Sequence, residues 1–226
     1  MSSTTIYFIR HGETDWNAGG RWQGHADVPL NDIGRRQAQL MAQRLQRDGV
    51  QFDAIYSSDL ARAFQTAWEL GAQVRVPVQL LPPLREIDIG AWSGLTTAEI
   101  QQQFPVEARL MEEGQDVPRG GGETLASLMR RIVDVVEVTA RRHAGKTLAM
   151  VTHGGCIRAA LSHALQAEGW ASLPHIGNTS ITIITCSDGT WQAVRINDVA
   201  HLEAAHAADL VTAPPDDAEN PSNEAT

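Results

Sequence analysis

Cysteine is scarce in this sequence, with only Cys156 and Cys186 among 226 residues. Two such cysteines offer neither a disulfide framework nor a zinc-ligand spacing. No apolar run approaches the ~18–20 residues of a membrane-spanning helix, and Met1-Ser2-Ser3-Thr4 lacks the basic and apolar regions of a signal peptide. A disulfide scaffold, a secreted module and a membrane protein are therefore disfavoured, and a cytoplasmic location is expected. Aromatic residues are also few, at 5%, so the core must be built mainly from Leu, Ile, Val and Ala. A chain of this length buries about 70% of the surface its unfolded form exposes and needs no structural metal to fold.

Positive charge is short as well. The net charge is −9, which argues against a nucleic-acid partner, because such proteins usually carry a basic face. The deficit sits at the end of the chain. No Lys or Arg follows Arg195, whereas Asp198, Glu203, Asp209, Asp216, Asp217, Glu219 and Glu224 do, leaving 20 acids against 18 bases in residues 1–195. Lysine is almost absent, Lys146 standing against 17 arginines. Arginine binds phosphate through two parallel donors, although genomic composition is the simpler source of such a bias. After about Ala208 the segment is polar, acidic and proline-containing, so residues 209–226 are expected to form a flexible tail on a single domain spanning 1–208.

Short apolar runs alternate with amphipathic ones. Strands are expected at Thr5–Arg10, Phe52–Ser57, Val76–Leu81 and Thr147–Thr152, with a hairpin of Ser180–Cys186 and Thr190–Ile196 turning at Ser187-Asp188-Gly189. Helices are expected from a cap at Asn31 to about Arg47, from a cap at Ser58 onward, over Thr96–Gln103, Val106–Glu113 and Glu123–Arg142, and over Ile157–Gln166. Arg85–Leu95 reads as an ordered loop. This order predicts an α/β three-layer sandwich, with a mostly parallel central sheet, one antiparallel strand and helices on both faces.

Two turns share one pattern. Arg10-His11-Gly12-Glu13-Thr14 and Thr152-His153-Gly154-Gly155 each place a histidine just after a short apolar strand and a glycine just after the histidine. In open parallel sheets the carboxyl ends of neighbouring strands share the crevice that binds ligands, so imidazoles 142 residues apart can face each other. Arg10 joins the first histidine, and Arg62 opens a helix whose N-terminus favours anions. Two histidines, two arginines and a helix terminus make a phosphate site. Singly, each piece also has an ordinary structural explanation: a hydrogen-bonded histidine at a strand end, a surface arginine, a solvated acid at Glu86. His11, Glu13, Asp15, His25 and Asp27 are conceivable metal ligands, but they match no zinc or two-metal spacing.

Four ordered blocks resemble the histidine phosphatase superfamily, the group that includes cofactor-dependent phosphoglycerate mutases. They are Arg10-His11-Gly12-Glu13-Thr14 with Trp16-Asn17; Ser57-Ser58-Asp59-Leu60 with Arg62-Ala63 and Gln65-Thr66-Ala67; Leu84-Arg85-Glu86 with Gly90, Trp92 and Gly94; and Thr152-His153-Gly154-Gly155. The resemblance spans roughly residues 4–200. It implies that His11 accepts the phosphoryl group and that Arg10, Asn17, Arg62 and His153 hold its oxygens. Glu86 would protonate the leaving group and later activate water, with no metal and no cofactor. His11 must then present an unprotonated nitrogen, its other nitrogen donating to an acceptor. The same resemblance makes Arg21, Gln23, Gly24 and Gly154 substrate-binding candidates.

The mutases of the superfamily carry an additional basic stretch between the glutamate block and the second histidine. Here that interval has only isolated Arg109 and Arg119, and Gly120-Gly121-Gly122-Glu123-Thr124 looks like the phosphatase branch. The expectation is a metal-independent phosphatase acting on a small anionic phosphoester through a phosphohistidine. The alternatives are a phosphoglycerate mutase or a non-catalytic phospholigand-binding protein. Glu123 and Thr124 fit equally well as pocket residues and as the start of a helix.

Overall fold

Residues 3–167 and 169–203 are described by a computed structural model. The boundary expected at 208 and the acidic tail lie outside the described residues. Strand β1 (Thr4–Arg10) leads to the one-turn helix α1 (Asp15–Ala18), which the sequence pattern did not reveal, and then to α2 (Asp32–Arg47). Asn31 caps α2 as expected, its side chain accepting from Gly34 N. Strand β2 (Ala54–Ser57), helix α3 (Ala61–Val74) and the short strand β3 (Val78–Leu80) follow. Next come α4 (Thr97–Gln103), opened by a Thr96/Glu99 capping box, α5 (Pro105–Glu112) and the long α6 (Leu125–Arg142). The chain then forms β4 (Thr147–Thr152), α7 (Gly154–Leu165), the hairpin β5 (Ile181–Ser187) and β6 (Thr190–Asp198), and the short α8 (Ala200–Glu203).

The six strands form one sheet in the order β3-β2-β4-β1-β5-β6. The first four are mutually parallel, β5 is antiparallel to β1, and β6 turns back against β5. Only β5 therefore runs against the rest. The hairpin turns at Asp188 and Gly189, both with positive φ, the geometry that a right-twisted two-residue turn requires.

Period-2 alternation splits the buried strands between two cores. Ile6, Phe8, Leu148 and Met150 pack with Leu128, Ile132 and Val136 of α6 and Ile157 of α7. Ile9, Ala149 and Val151 pack with Met41 and Leu45 of α2 and Ala67 and Leu70 of α3. Helices thus cover both faces, as the alternation predicted. Helix α7 starts three residues before the expected Ile157, because two glycines of low helix propensity read as a turn but form its first residues. Among the described residues, no helix is long and apolar enough to cross a membrane.

Candidate active site

Strand register builds the site. In the parallel pair β1 and β4, Arg10 lies opposite Thr152, so the residues just beyond them, His11 and His153, emerge side by side. Their ring centroids are 5.2 Å apart, and both residues are buried. The backbone at His11 is pinned by its N–H to Thr152 O at 2.9 Å. Gly12 N donates to Thr66 Oγ1 at 3.0 Å. A Cβ on Gly12 would lie 2.4 Å from Gly34 O, so only glycine lets this turn pass the first turn of α2 so closely.

His11 Nδ1 lies 2.7 Å from Gly12 O. A carbonyl can only accept, so Nδ1 carries the proton and Nε2 keeps a free lone pair. Burial, then the charges of Arg62 and Arg10, hold the His11 pKa well below 6.5, outweighing the Gly12 hydrogen bond that raises it. The ring is therefore neutral at neutral pH. Burial and Arg62 act in the same direction on His153.

Arg62 is almost fully buried on the first turn of α3. Its two terminal nitrogens donate to Ala26 O and Gly24 O, each at 2.7 Å, which fixes the guanidinium plane. Burial lowers its pKa to about 10, against the opposing pull of Glu86, so it stays charged near neutrality. Gly24 has positive φ, and a Cβ there would meet Ile89 Cγ1 at 2.4 Å; it serves Arg62 through its carbonyl. Arg10 Nη1 donates to Ile176 O at 2.5 Å. Among the described residues, the buried Arg62 Nε and His153 Nδ1 find no hydrogen-bond partner. Buried polar atoms of this kind are normally satisfied, and an anion that reached both could satisfy them.

Ser58 does not cap α3, contrary to expectation. The helix starts at Ala61 with Leu60 at its N-cap, and Asp27 Oδ1 takes the Ala61 N–H at 2.6 Å. Ser58 instead lies 2.9 Å from His153 Nε2, while accepting from Leu60 N.

Glu86 enters from the loop after β3. Its Oε1 accepts from Ile87 N at 2.9 Å and its Oε2 from Gly155 N, in the first turn of α7, at 3.0 Å. The Cys156 thiol also points at Oε1, from 3.9 Å. Arg85 binds Asp59 through two bonds of 2.7 and 2.6 Å, tying this loop to the segment before α3. Gly154 begins α7, and a Cβ there would lie 3.7 Å from Arg10 Nε.

Asn17 is buried, its Oδ1 accepting from Thr14 N at 3.2 Å, and Asn178 Nδ2 reaches it at 3.4 Å. Gln23 is buried beside Thr14, with 3.1 Å between Oε1 and Oγ1. Arg21 points elsewhere: its guanidinium binds Gly94 O at 2.7 Å and Glu99 Oε2 at 3.1 Å, in the loop before α4. His11, His153, Arg10, Arg62, Glu86 and Gly154 are thus brought together, whereas the Arg21 contacts belong to the surrounding wall. Thr124 caps α6, and Glu123 braces the Glu86 loop.

Sequence reasoning missed Asn178 and Thr179. Asn178 Nδ2 donates to His11 O at 3.0 Å, and Thr179 N reaches Arg10 O at 3.1 Å. Both precede β5, the antiparallel neighbour of β1. Their position was hidden because a hairpin read from sequence does not say which strand it joins.

Among the described residues, no three His, Cys, Asp or Glu side chains gather so as to hold a metal ion. His11, Glu13, Asp15, His25 and Asp27 therefore do not form the alternative ligand set.

Comparison with known proteins agrees with this geometry. A profile of the histidine phosphatase superfamily (branch 1) matches residues 6–199. Phosphoglycerate mutase-like protein 4 of Arabidopsis thaliana is 37% identical over 203 residues, 88% of this chain and 86% of that one. Metal-independent phosphoserine phosphatase of the same plant is 35% identical over 205 residues, 89% and 84% of the two chains. The structure of Bacillus stearothermophilus YhfR matches with a TM-score of 0.81 at 33% identity, covering 88% of this chain and 99% of that one. This chain belongs to branch 1 of the histidine phosphatase superfamily and is a phosphatase.

Proposed function

We propose that the protein is a metal-independent phosphomonoesterase that acts on small phosphorylated metabolites through a phosphohistidine at His11. The observation that carries this reading is the 2.7 Å contact between His11 Nδ1 and Gly12 O, which leaves Nε2 unprotonated beside two arginines. Nε2 attacks phosphorus, and the ester P–O bond breaks with its electron pair on the departing oxygen. Glu86, as the acid, gives that oxygen a proton. The Glu86 carboxylate then takes a proton from water, the resulting hydroxide attacks phosphorus, and the P–N electron pair returns to His11.

Arg10 and Arg62 carry the charge stabilisation of the equatorial oxygens that a cation supplies elsewhere. His153 Nδ1, Asn17 and the start of α7 at Gly154 complete the cradle, while Gln23 and Gly24 shape its wall and Arg21 its outer rim. A relative named as a metal-independent phosphoserine phosphatase supports the same reading.

The test is rapid-quench trapping with a labelled phosphomonoester after dialysis against EDTA. Acid-labile, base-stable label is expected on wild-type protein and none on His11→Ala, with turnover unchanged by the chelator. Absence of labelled histidine, or activity restored only by added divalent metal, would overturn the reading. Interconversion of 2- and 3-phosphoglycerate outpacing phosphate release would assign a mutase instead.

A further inference from the structure

The Glu86 loop is gripped from outside the phosphate cradle. Arg131, on α6, donates five hydrogen bonds: Nη1 to Pro83 O at 2.8 Å and Arg85 O at 2.7 Å, Nη2 to Glu86 O at 3.2 Å, and Nε and Nη2 to the two oxygens of Glu123 at 3.0 and 2.6 Å. Glu123 completes the grip, its Oε2 accepting from Asp88 N at 2.9 Å, two residues beyond Glu86. On the same carbonyl of Glu86, His25 Nε2 lies at 2.9 Å.

This arrangement does more than hold a helix in place. Helix α6 already docks through Leu128, Ile132 and Val136, and Arg131 lies off that stripe, its side chain only 22% exposed. Only a planar guanidinium can meet three carbonyls and both carboxylate oxygens at once, and a lysine ammonium cannot. The Glu86 side chain is anchored both on its own loop, at Ile87 N, and on α7, at Gly155 N with the Cys156 thiol nearby. The distance between loop and helix therefore decides where the carboxyl stands, and Arg131 sets the loop.

We propose that Arg131, locked by Glu123, is the positioning residue that holds the Glu86 carboxyl at the leaving-group oxygen. The inference rests on the acid role of Glu86 given above. Arg131 touches no substrate. Its loss lets the loop drift, and a displacement of about 1 Å in a proton donor costs about 100-fold in rate. That cost falls on esters whose leaving group needs the proton, and spares those that depart unaided.

The experiment measures single-turnover phosphorylation of His11 across esters from p-nitrophenyl to alkyl phosphates, together with the Kd of inorganic phosphate. Arg131→Met is expected to slow alkyl esters about 100-fold and p-nitrophenyl phosphate far less, with the phosphate Kd unchanged. In a Glu86→Gln background the same substitution should add no further leaving-group dependence. Arg131→Lys keeps the charge and should fail like Met, and the milder Glu123→Gln should give a smaller defect of the same graded form. These two carry the test if the Met variant fails to melt cooperatively. A uniform loss across the esters, or unaltered alkyl rates, alongside a graded defect in Glu86→Gln, would overturn the positioning role alone. A uniform defect in Glu86→Gln itself would remove the acid role first, and the positioning role with it.

Discussion

Ser58 Oγ and His153 Nε2 lie 2.9 Å apart with both residues fully buried. Beyond the bond it accepts from Leu60 N, Ser58 Oγ has one proton to give and one lone pair left, so it can pair with either tautomer of the imidazole. We predict the tautomer in which Nε2 accepts from Ser58 and the proton sits on Nδ1, the nitrogen with no partner among the described residues, where it could be donated to an anion. A backbone carbonyl fixes the His11 tautomer; on this prediction a hydroxyl fixes that of His153.

Ser58→Ala should therefore disturb His153 and leave His11 alone. Nitrogen-15 spectra of the imidazoles should show Nδ1–H on both rings in wild type. In the variant His153 should become a mixture of tautomers, while His11 stays locked by Gly12 O. Phosphate affinity should fall about tenfold, with a stability loss of about 1–3 kcal/mol for the orphaned buried group. An unchanged His153 spectrum would show that the hydroxyl does not choose the tautomer.

Ser58 also shows where the sequence was legible and where it was not. The histidine pair could be read directly, because two buried apolar strands ending in His-Gly must bring their ends to one edge of a parallel sheet. A serine just before a helix looks like a cap in any sequence. The group that actually takes the α3 amide is Asp27, distant in the chain and visible only once folded. Asn178 and Thr179 were hidden for a similar reason, since nothing local says that β5 joins β1. Glu123 could be read as a pocket acid or a helix-start acid, and its place became clear only with the Arg131 side chain facing it.

The lowered histidine pKa values fix the acid limb of the rate. In the proposed mechanism the attacking form of His11 is the neutral one, and burial together with Arg62 and Arg10 favours that form by holding the pKa well below 6.5. Single-turnover phosphorylation by an ester that stays in one ionisation state should hold steady as pH falls past 6.5, then decline at distinctly lower pH. A midpoint at an ordinary histidine value would contradict the electrostatic account.

Stability should show the same groups with the opposite consequence. A histidine whose folded pKa is depressed binds protons more readily when unfolded, so its contribution is complete above 6.5 and is lost as pH falls toward the folded value. His11, His153 and His201 all behave this way. His201 is lowered to about 4 by burial and then by Arg44, and bonds Thr179 Oγ1 through Nε2. Its share of the loss is about 3 kcal/mol by pH 4. Denaturant midpoints should fall between pH 7 and pH 4, and His201→Gln should flatten part of that slope. A slope unchanged by the substitution would remove His201 from the account.

Two glycines beside the histidines should separate stability from activity. A Cβ on Gly155 would lie 2.5 Å from Glu86 Oε1 and 3.3 Å from Leu128 Cδ2. The nearer atom ends a side chain and can swing aside, and the residue is already helical, where alanine is favoured over glycine by about 1 kcal/mol. Gly155→Ala should fold at least as stably as wild type. Its Glu86 carboxyl is nevertheless displaced, so on the proposed acid role alkyl phosphates should turn over about 100-fold more slowly while inorganic phosphate binds normally. Gly12→Ala should behave in the reverse way. Its Cβ would lie 2.4 Å from Gly34 O, backbone against backbone, with no flexible side chain to yield. Overpacking of this kind costs about 1–3 kcal/mol or more, so the thermal midpoint should drop, and lost activity should follow lost fold. Thermal melts and alkyl phosphatase rates on the two variants decide the matter, and equal destabilisation of both would mean that Gly155 is there for packing rather than to make room for Glu86.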